Sequence, residues 1–209
     1  MKLENVLPED IERRSFELIE SELPHSLDVQ LAPIIKRVIH TTADFEYADS
    51  LCFSEGVVAS TLEILRAGIN IITDTNMVKA GINKAALAKL GGSVDCFMAD
   101  EDIALAAKSS GSTRAAAAME KAANMEGNLV FAIGNAPTAL VRLCELMDKG
   151  RLSPSLIIGV PVGFVNVVQS KELVMASKAP YIVARGRKGG SNVAAAIVNA
   201  LMYQITRLD

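Results

Sequence analysis

Cysteine is scarce in this 209-residue chain. Cys52, Cys96 and Cys144 are odd in number, widely separated and form no CxxC pair. That excludes a disulfide framework and a cysteine-based zinc site, and it suits small buried hydrophobes in a reducing compartment, here expected to be the cytoplasm. Positive charge is also short: 21 Lys and Arg face 24 Asp and Glu, giving a net charge of −3 and a pI near 5.5. With no global attraction for polyanions, nucleic acid is not an expected partner. Uninterrupted apolar runs are missing too. The longest charge-free stretch, Leu152 to Ser170, is broken by Pro154, Gly159, Pro161, Gly163, Asn166 and Gln169, so it reads as a buried strand and its loop and not as a membrane span. The first twenty residues mix both charge signs without an apolar centre, and neither a signal peptide nor a membrane partner is expected. The phosphate-loop spacings GxxxxGK[ST] and GxGxxG, the GxSxG elbow, HExxH and a kinase set are all absent. Nucleotide binding, nucleophilic hydrolysis and metal chemistry lose weight accordingly.

What is present is apolar bulk. Half of the residues are hydrophobic and 22% are charged, with a mean hydropathy of +0.29, which excludes disorder. A chain of this length buries roughly 70% of its unfolded surface as one large domain. We expect a single domain over 1–209, with N-terminal helices in 1–54 packing on an α/β core in 55–209.

Apolar stripes predict helices over residues 9–22 and from Leu31 to about Thr41, with His40 at the end of the second. From residue 55 short apolar runs alternate with Ala-rich helical segments. Strands are expected at Asn70–Thr73, Ser93–Met98, Leu129–Ile133, Leu156–Val160 and Tyr181–Ala184, and helices at about 56–67, 83–90, 101–108, 113–125, 137–149, 166–177 and 191–207. Five strands with helical crossovers make a parallel sheet with helices on both faces, a three-layer α/β sandwich. Gly68, Gly91 and Gly150 stand where helix C-termini need a left-handed residue. In such a sheet ligands meet the loops at the carboxyl ends of the strands.

Those loops carry the candidates. GNAPTA, Gly134 to Ala139, presents free N–H groups that suit a carboxylate or phosphate, or else it is an ordinary turn capped by Asn135. RGRKGGS, Arg185 to Ser191, sets three cations beside two glycines at the start of the last helix, which suits an anion. Thr113 and Arg114, Lys171, and Arg37 one turn before His40 repeat the cationic theme. Several cations in an acidic protein point to a ligand with several carboxylates. Of the two histidines, His40 is the better candidate for proton transfer, since His25 follows Pro24 in a loop. Asp74, closing the first predicted strand, either meets a ligand or caps its turn.

Taken together, RVIHTTADF (Arg37 to Phe45), TDTNMVKAGI (Thr73 to Ile82), STRAAAA (Ser112 to Ala118), IGNAPTAL (Ile133 to Leu140), IGVPVGFVN (Ile158 to Asn166), QSKE (Gln169 to Glu172) and GRKGGSNVAAAIVNAL (Gly186 to Leu201) closely resemble the precorrin-8X methylmutase, or precorrin isomerase, family. The resemblance extends over nearly the whole chain, IERRSF at Ile11 to Phe16 included. It implies a flavodoxin-like fold, a homodimer, no cofactor and no protein metal site. It further implies an isomerase of cobalamin biosynthesis that moves a methyl group from carbon 11 to carbon 12 of a corrin-like substrate, with His40 as the acid. Substrate contacts are then expected at Ser15, Arg37, Asp74, Met77, Thr113, Arg114, Asn135, Ala136, Lys171, Arg187 and Ser191, with the apolar Val162 and Phe164 against the macrocycle. The HTTADFEYA segment is more like the cobalt-first members, favouring cobalt-precorrin-8 as substrate. A tetrapyrrole carrier with the same carboxylate clamps and no need of His40 is the alternative.

Overall fold

The computed structural model describes residues 4–207. A short 3-10 turn at Pro8–Asp10 leads into α1 (Ile11–Glu22), followed by α2 (Ala32–Thr42), α3 (Tyr47–Ser50), β1 (Leu51–Phe53) and α4 (Val57–Arg66). Then come β2 (Asn70–Thr73), α5 (Asn76–Gly81), α6 (Lys84–Lys89), β3 (Ser93–Asp95), α7 (Glu101–Ser110) and α8 (Arg114–Ala122). The chain closes with β4 (Leu129–Ile133), α9 (Pro137–Asp148), β5 (Leu156–Gly159), α10 (Val167–Ala176), β6 (Tyr181–Ala184) and α11 (Ser191–Thr206).

The sheet runs β1-β6-β5-β4-β2-β3. Its five parallel strands, numbered from β2, follow the order 2-1-3-4-5 of flavodoxin-like folds. The expected five-stranded parallel sheet needs one correction: a sixth strand, β1, joins β6 antiparallel at the edge, Cys52 opposite Val183. Three residues are too few to show a period of two, and β1 lies in the segment expected to be helical. The strand expected over 93–98 ends at Asp95, and the expected loop after β2 contains α5.

Strand side chains alternate between two cores, as the pleat requires. Ile71, Val130, Ala132, Ile158 and Ile182 face the layer of α1, α2, α4, α5, α6 and α11, while Ile72, Phe131, Ile133, Ile157 and Val183 face α7 to α10. The strands are apolar throughout because both sheet faces are covered. Gly68, Gly91 and Gly150 adopt φ of +87°, +66° and +65°, as expected of helix ends.

Candidate active site

The switch point of the sheet, between β2 and β4, is where a flavodoxin-like fold receives a ligand. Here Asp74 fills it. Its carboxylate is fully buried and accepts three backbone N–H bonds, from Gly134 at 2.9 Å, Asn135 at 2.7 Å and Ala136 at 2.6 Å. Burial pushes this carboxyl up, and the three donors oppose it. The GNAPTA amides expected to hold a substrate anion here bond an internal one, and Asp74 staples the two loops together. Nor does Asn135 cap α9: Ala136 holds that position and no side chain caps it.

The neighbouring loops are locked by close backbone approaches. A Cβ on Gly134 would lie 2.7 Å from the Ser191 Cα, and one on Gly189, whose φ is +156°, would lie 2.1 Å from the Val160 carbonyl oxygen. Thr75 and Ser191 share a hydroxyl hydrogen bond of 2.9 Å, fixing the start of α11 against the loop after β2.

His40 lies beside this corner. α2 buries Ile34, Ile35, Val38 and Ile39 against α11, which leaves His40 on the open side of the same turn. The helix ends at Ala43, whose left-handed φ of +53° lets its N–H close on the Ile39 carbonyl. The imidazole is exposed and lines a cavity of about 300 Å³ with Arg37, Thr41, Gly81, Asn192, Ala195, Ala196, Asn199 and Tyr203. The α11 members recur every three or four residues and so share one face; the alanines keep the hollow open. Gly81 is needed where α5 meets α11, since a Cβ there would come within 2.8 Å of the Ala195 Cβ. Asn199 clamps that crossing by accepting from the Asn83 N–H at 2.8 Å and donating to the Gly81 carbonyl at 2.9 Å. The Phe16 ring tilts against the imidazole, centroids 5.4 Å apart. Phe16, Asn192, Asn199 and Tyr203 were not singled out from the sequence; the polar interruptions at 192, 199 and 203 in an otherwise apolar helix were the available signal.

The expected cations divide into committed and free. Arg37 pairs with Glu12 and packs over Phe16 and Tyr203, 4.7 and 5.3 Å from the ring centroids. Partial burial raises the Glu12 carboxyl, yet Arg37 and Arg207 together bring it below its usual value. Arg185 forms a two-pronged pair with Glu172, at 2.8 and 2.9 Å. Lys188 pairs with Asp44 at 2.6 Å and Glu46 at 2.9 Å, tying the RGRKGGS loop to the turn after His40. Lys171 is the largest departure from expectation. Expected to meet substrate, it lies in α10, within the helix expected over 166–177, but is wholly buried and donates to the carbonyls of Gly186 and Lys188, each at 2.8 Å. Its backbone belongs to a helix running beneath the loop, so its long side chain reaches the loop from inside. Burial lowers its pKa to about 8.

Arg187 and Arg114 are exposed and have no carboxylate partner among the described residues. Arg187 rests 5.4 Å from the centroid of the exposed Phe164 ring. Arg114 begins α8 in the opposite helical layer, where the Thr113 hydroxyl caps the helix and bonds Thr138 at the start of α9. Ser15 lies on α1 with its hydroxyl donating to the Ile11 carbonyl, and Met77 on α5 is 71% exposed. His40, Arg37 and Met77 thus belong to one layer with Ser191 at its rim, and Arg114 stands across the sheet.

No helix among the described residues is long and apolar enough to cross a membrane. The fold and site define a three-layer α/β enzyme with a solvent-open histidine at a helix-lined hollow and free guanidinium groups near the carboxyl rim of its sheet. The sequence profile of precorrin-8X methylmutase matches residues 10–204, and the chain belongs to that family of isomerases of cobalamin biosynthesis. It is 46% identical over 205 residues to a cobalt-precorrin-8 methylmutase of Salmonella typhimurium, covering 95% of this chain and 96% of that one. It is 42% identical over 197 residues to a cobalt-precorrin-8 methylmutase of Priestia megaterium, covering 94% and 88%. The solved structure of a precorrin-8X methylmutase from Thermus thermophilus superimposes with a TM-score of 0.85 at 36% identity, covering 95% of this chain and 98% of that one.

Proposed function

We propose that this isomerase acts on cobalt-precorrin-8, moving the methyl group from carbon 11 to carbon 12 to give the cobalt form of hydrogenobyrinate, with His40 as general acid. The observation that carries this reading is the placement of His40: an exposed imidazole, steadied by Phe16, at the mouth of a hollow between α2 and α11. A proton donated to a ring nitrogen or adjacent carbon draws electron density from the conjugated system and lowers the barrier to migration. The proton is returned once the methyl group has moved, so the reaction is an isomerisation with no redox balance to meet. Arg187 and Arg114 are free to meet the acetate and propionate carboxylates, and the exposed Met77, Val162 and Phe164 offer apolar contact to the flat ring. Any cobalt enters within the substrate. The chain acts as one domain, in the cytoplasm and as a homodimer, a state that would cover the exposed apolar loops.

The test is absorbance-monitored conversion of cobalt-precorrin-8 by the wild type and by His40→Ala. The variant is expected to lose about 10²- to 10⁴-fold in kcat while still binding the product. Unimpaired turnover by the variant refutes His40 as the acid. A wild type that binds product tightly and converts nothing is the carrier instead.

A further inference from the structure

Lys171 has an arrangement that packing alone does not require. Its ammonium is wholly buried on α10 and is paired with no carboxylate among the described residues. The charge next to it in α10 and the charge of the loop it reaches are already matched: Glu172 with Arg185, and Lys188 with Asp44 and Glu46. Its partners are instead two alternate carbonyls of one loop, Gly186 and Lys188. The intervening carbonyl, Arg187, accepts from the Gly163 N–H at 3.2 Å, and the Gly190 N–H donates to the Val160 carbonyl at 2.8 Å.

The Gly186 and Lys188 carbonyls therefore point inward, toward Lys171. All peptide bonds among the described residues are trans, and in a planar trans peptide the N–H points opposite to the carbonyl. The N–H groups of Arg187 and Gly189, which belong to the same two peptides, consequently face away from Lys171. Neither donates to a backbone acceptor among the described residues.

We propose that Lys171 is a positioning residue of the methylmutase site: by drawing the Gly186 and Lys188 carbonyls inward it turns the N–H groups of Arg187 and Gly189 outward as a receptor for a substrate carboxylate. Lys171 itself does not touch the substrate. The proposal rests on the ligand assigned under Proposed function, and it accounts for an ammonium spent on carbonyls when a methionine would fill the same space.

Lys171→Met removes the donors and keeps the length. In the ligand-free protein, amide hydrogen exchange at Gly163 and Gly190 is expected to speed up about tenfold, the loss of one charge-assisted anchor, while core amides of α11 stay unchanged. In turnover assays KM for cobalt-precorrin-8 is expected to rise about tenfold with kcat nearly unaltered, because His40 is untouched. A purely structural lysine would lower the melting temperature and leave the KM of the folded fraction alone. A lysine that binds substrate directly would leave the ligand-free loop exchange alone. Either result overturns the proposal. Should the variant not fold, the wild type decides: product is expected to protect the amides of Arg187 and Gly189, and turnover or product binding without that protection refutes the proposal. Wild-type turnover in the same samples tests the assigned reaction separately, so a failure there is distinguishable from a failure at Lys171.

Discussion

Replacing Asp74 by Asn tests whether the switch point is closed by an internal anion. The side chain keeps its shape, but one acceptor oxygen becomes an NH₂ donor. If the remaining carbonyl takes the Oδ2 position, the bonds from Asn135 and Ala136 survive, and the Gly134 N–H then faces a second donor in a fully buried place. Two buried donors lose their acceptors at about 1–3 kcal/mol each. The desolvation that raises the Asp74 carboxyl is partly relieved in the neutral variant, which returns some of that energy. A net loss of about 2–4 kcal/mol follows, and for a chain of this size the melting temperature should fall by about 5–15 °C. Thermal and urea unfolding of the two proteins measure it. A variant within about 0.5 kcal/mol of wild type, the range of an ordinary surface substitution, would refute the staple and return Asp74 to the list of ligand contacts. If Asp74 instead bound substrate, Asp74→Asn would change KM and leave unfolding untouched.

Gly134→Ala places a Cβ against the backbone of Ser191, which has no flexible end to yield; we expect about 1–3 kcal/mol of destabilisation by urea melt, and a neutral result would mean that the start of α11 is free to shift. The pH dependence of stability should also report Lys171. Its pKa is lowered to about 8 from 10.5, so the cost of burying the ammonium is complete below pH 8. That cost is lifted as the pH rises to 10.5, an interval in which the unfolded chain holds a proton that the folded one has released. Wild type should therefore gain up to about 3 kcal/mol relative to Lys171→Met across that interval, and a flat difference contradicts the burial.

The alternation of strands and helices was legible because β2, β4, β5 and β6 are covered on both faces, which forces continuous apolar runs, and because glycines mark the helix ends. His40 was singled out as one of two histidines, placed at the end of an amphipathic helix, and the structure puts it in the last turns of α2. β1 was not, since its three residues become a strand only through β6, more than a hundred positions away in the chain.

Residue types therefore determined that this protein has a parallel α/β core and which cations and histidines it can offer to a ligand. Tertiary structure alone decided which of those groups are free. Asp74 meets amides some sixty residues distant, Lys188 meets Asp44 across most of the chain, and Lys171, expected to meet substrate, turns inward to the carbonyls of the Arg185–Ser191 loop. A charge is encoded in its own residue, but its partner is chosen by the fold, and only an unpartnered charge is available to a ligand.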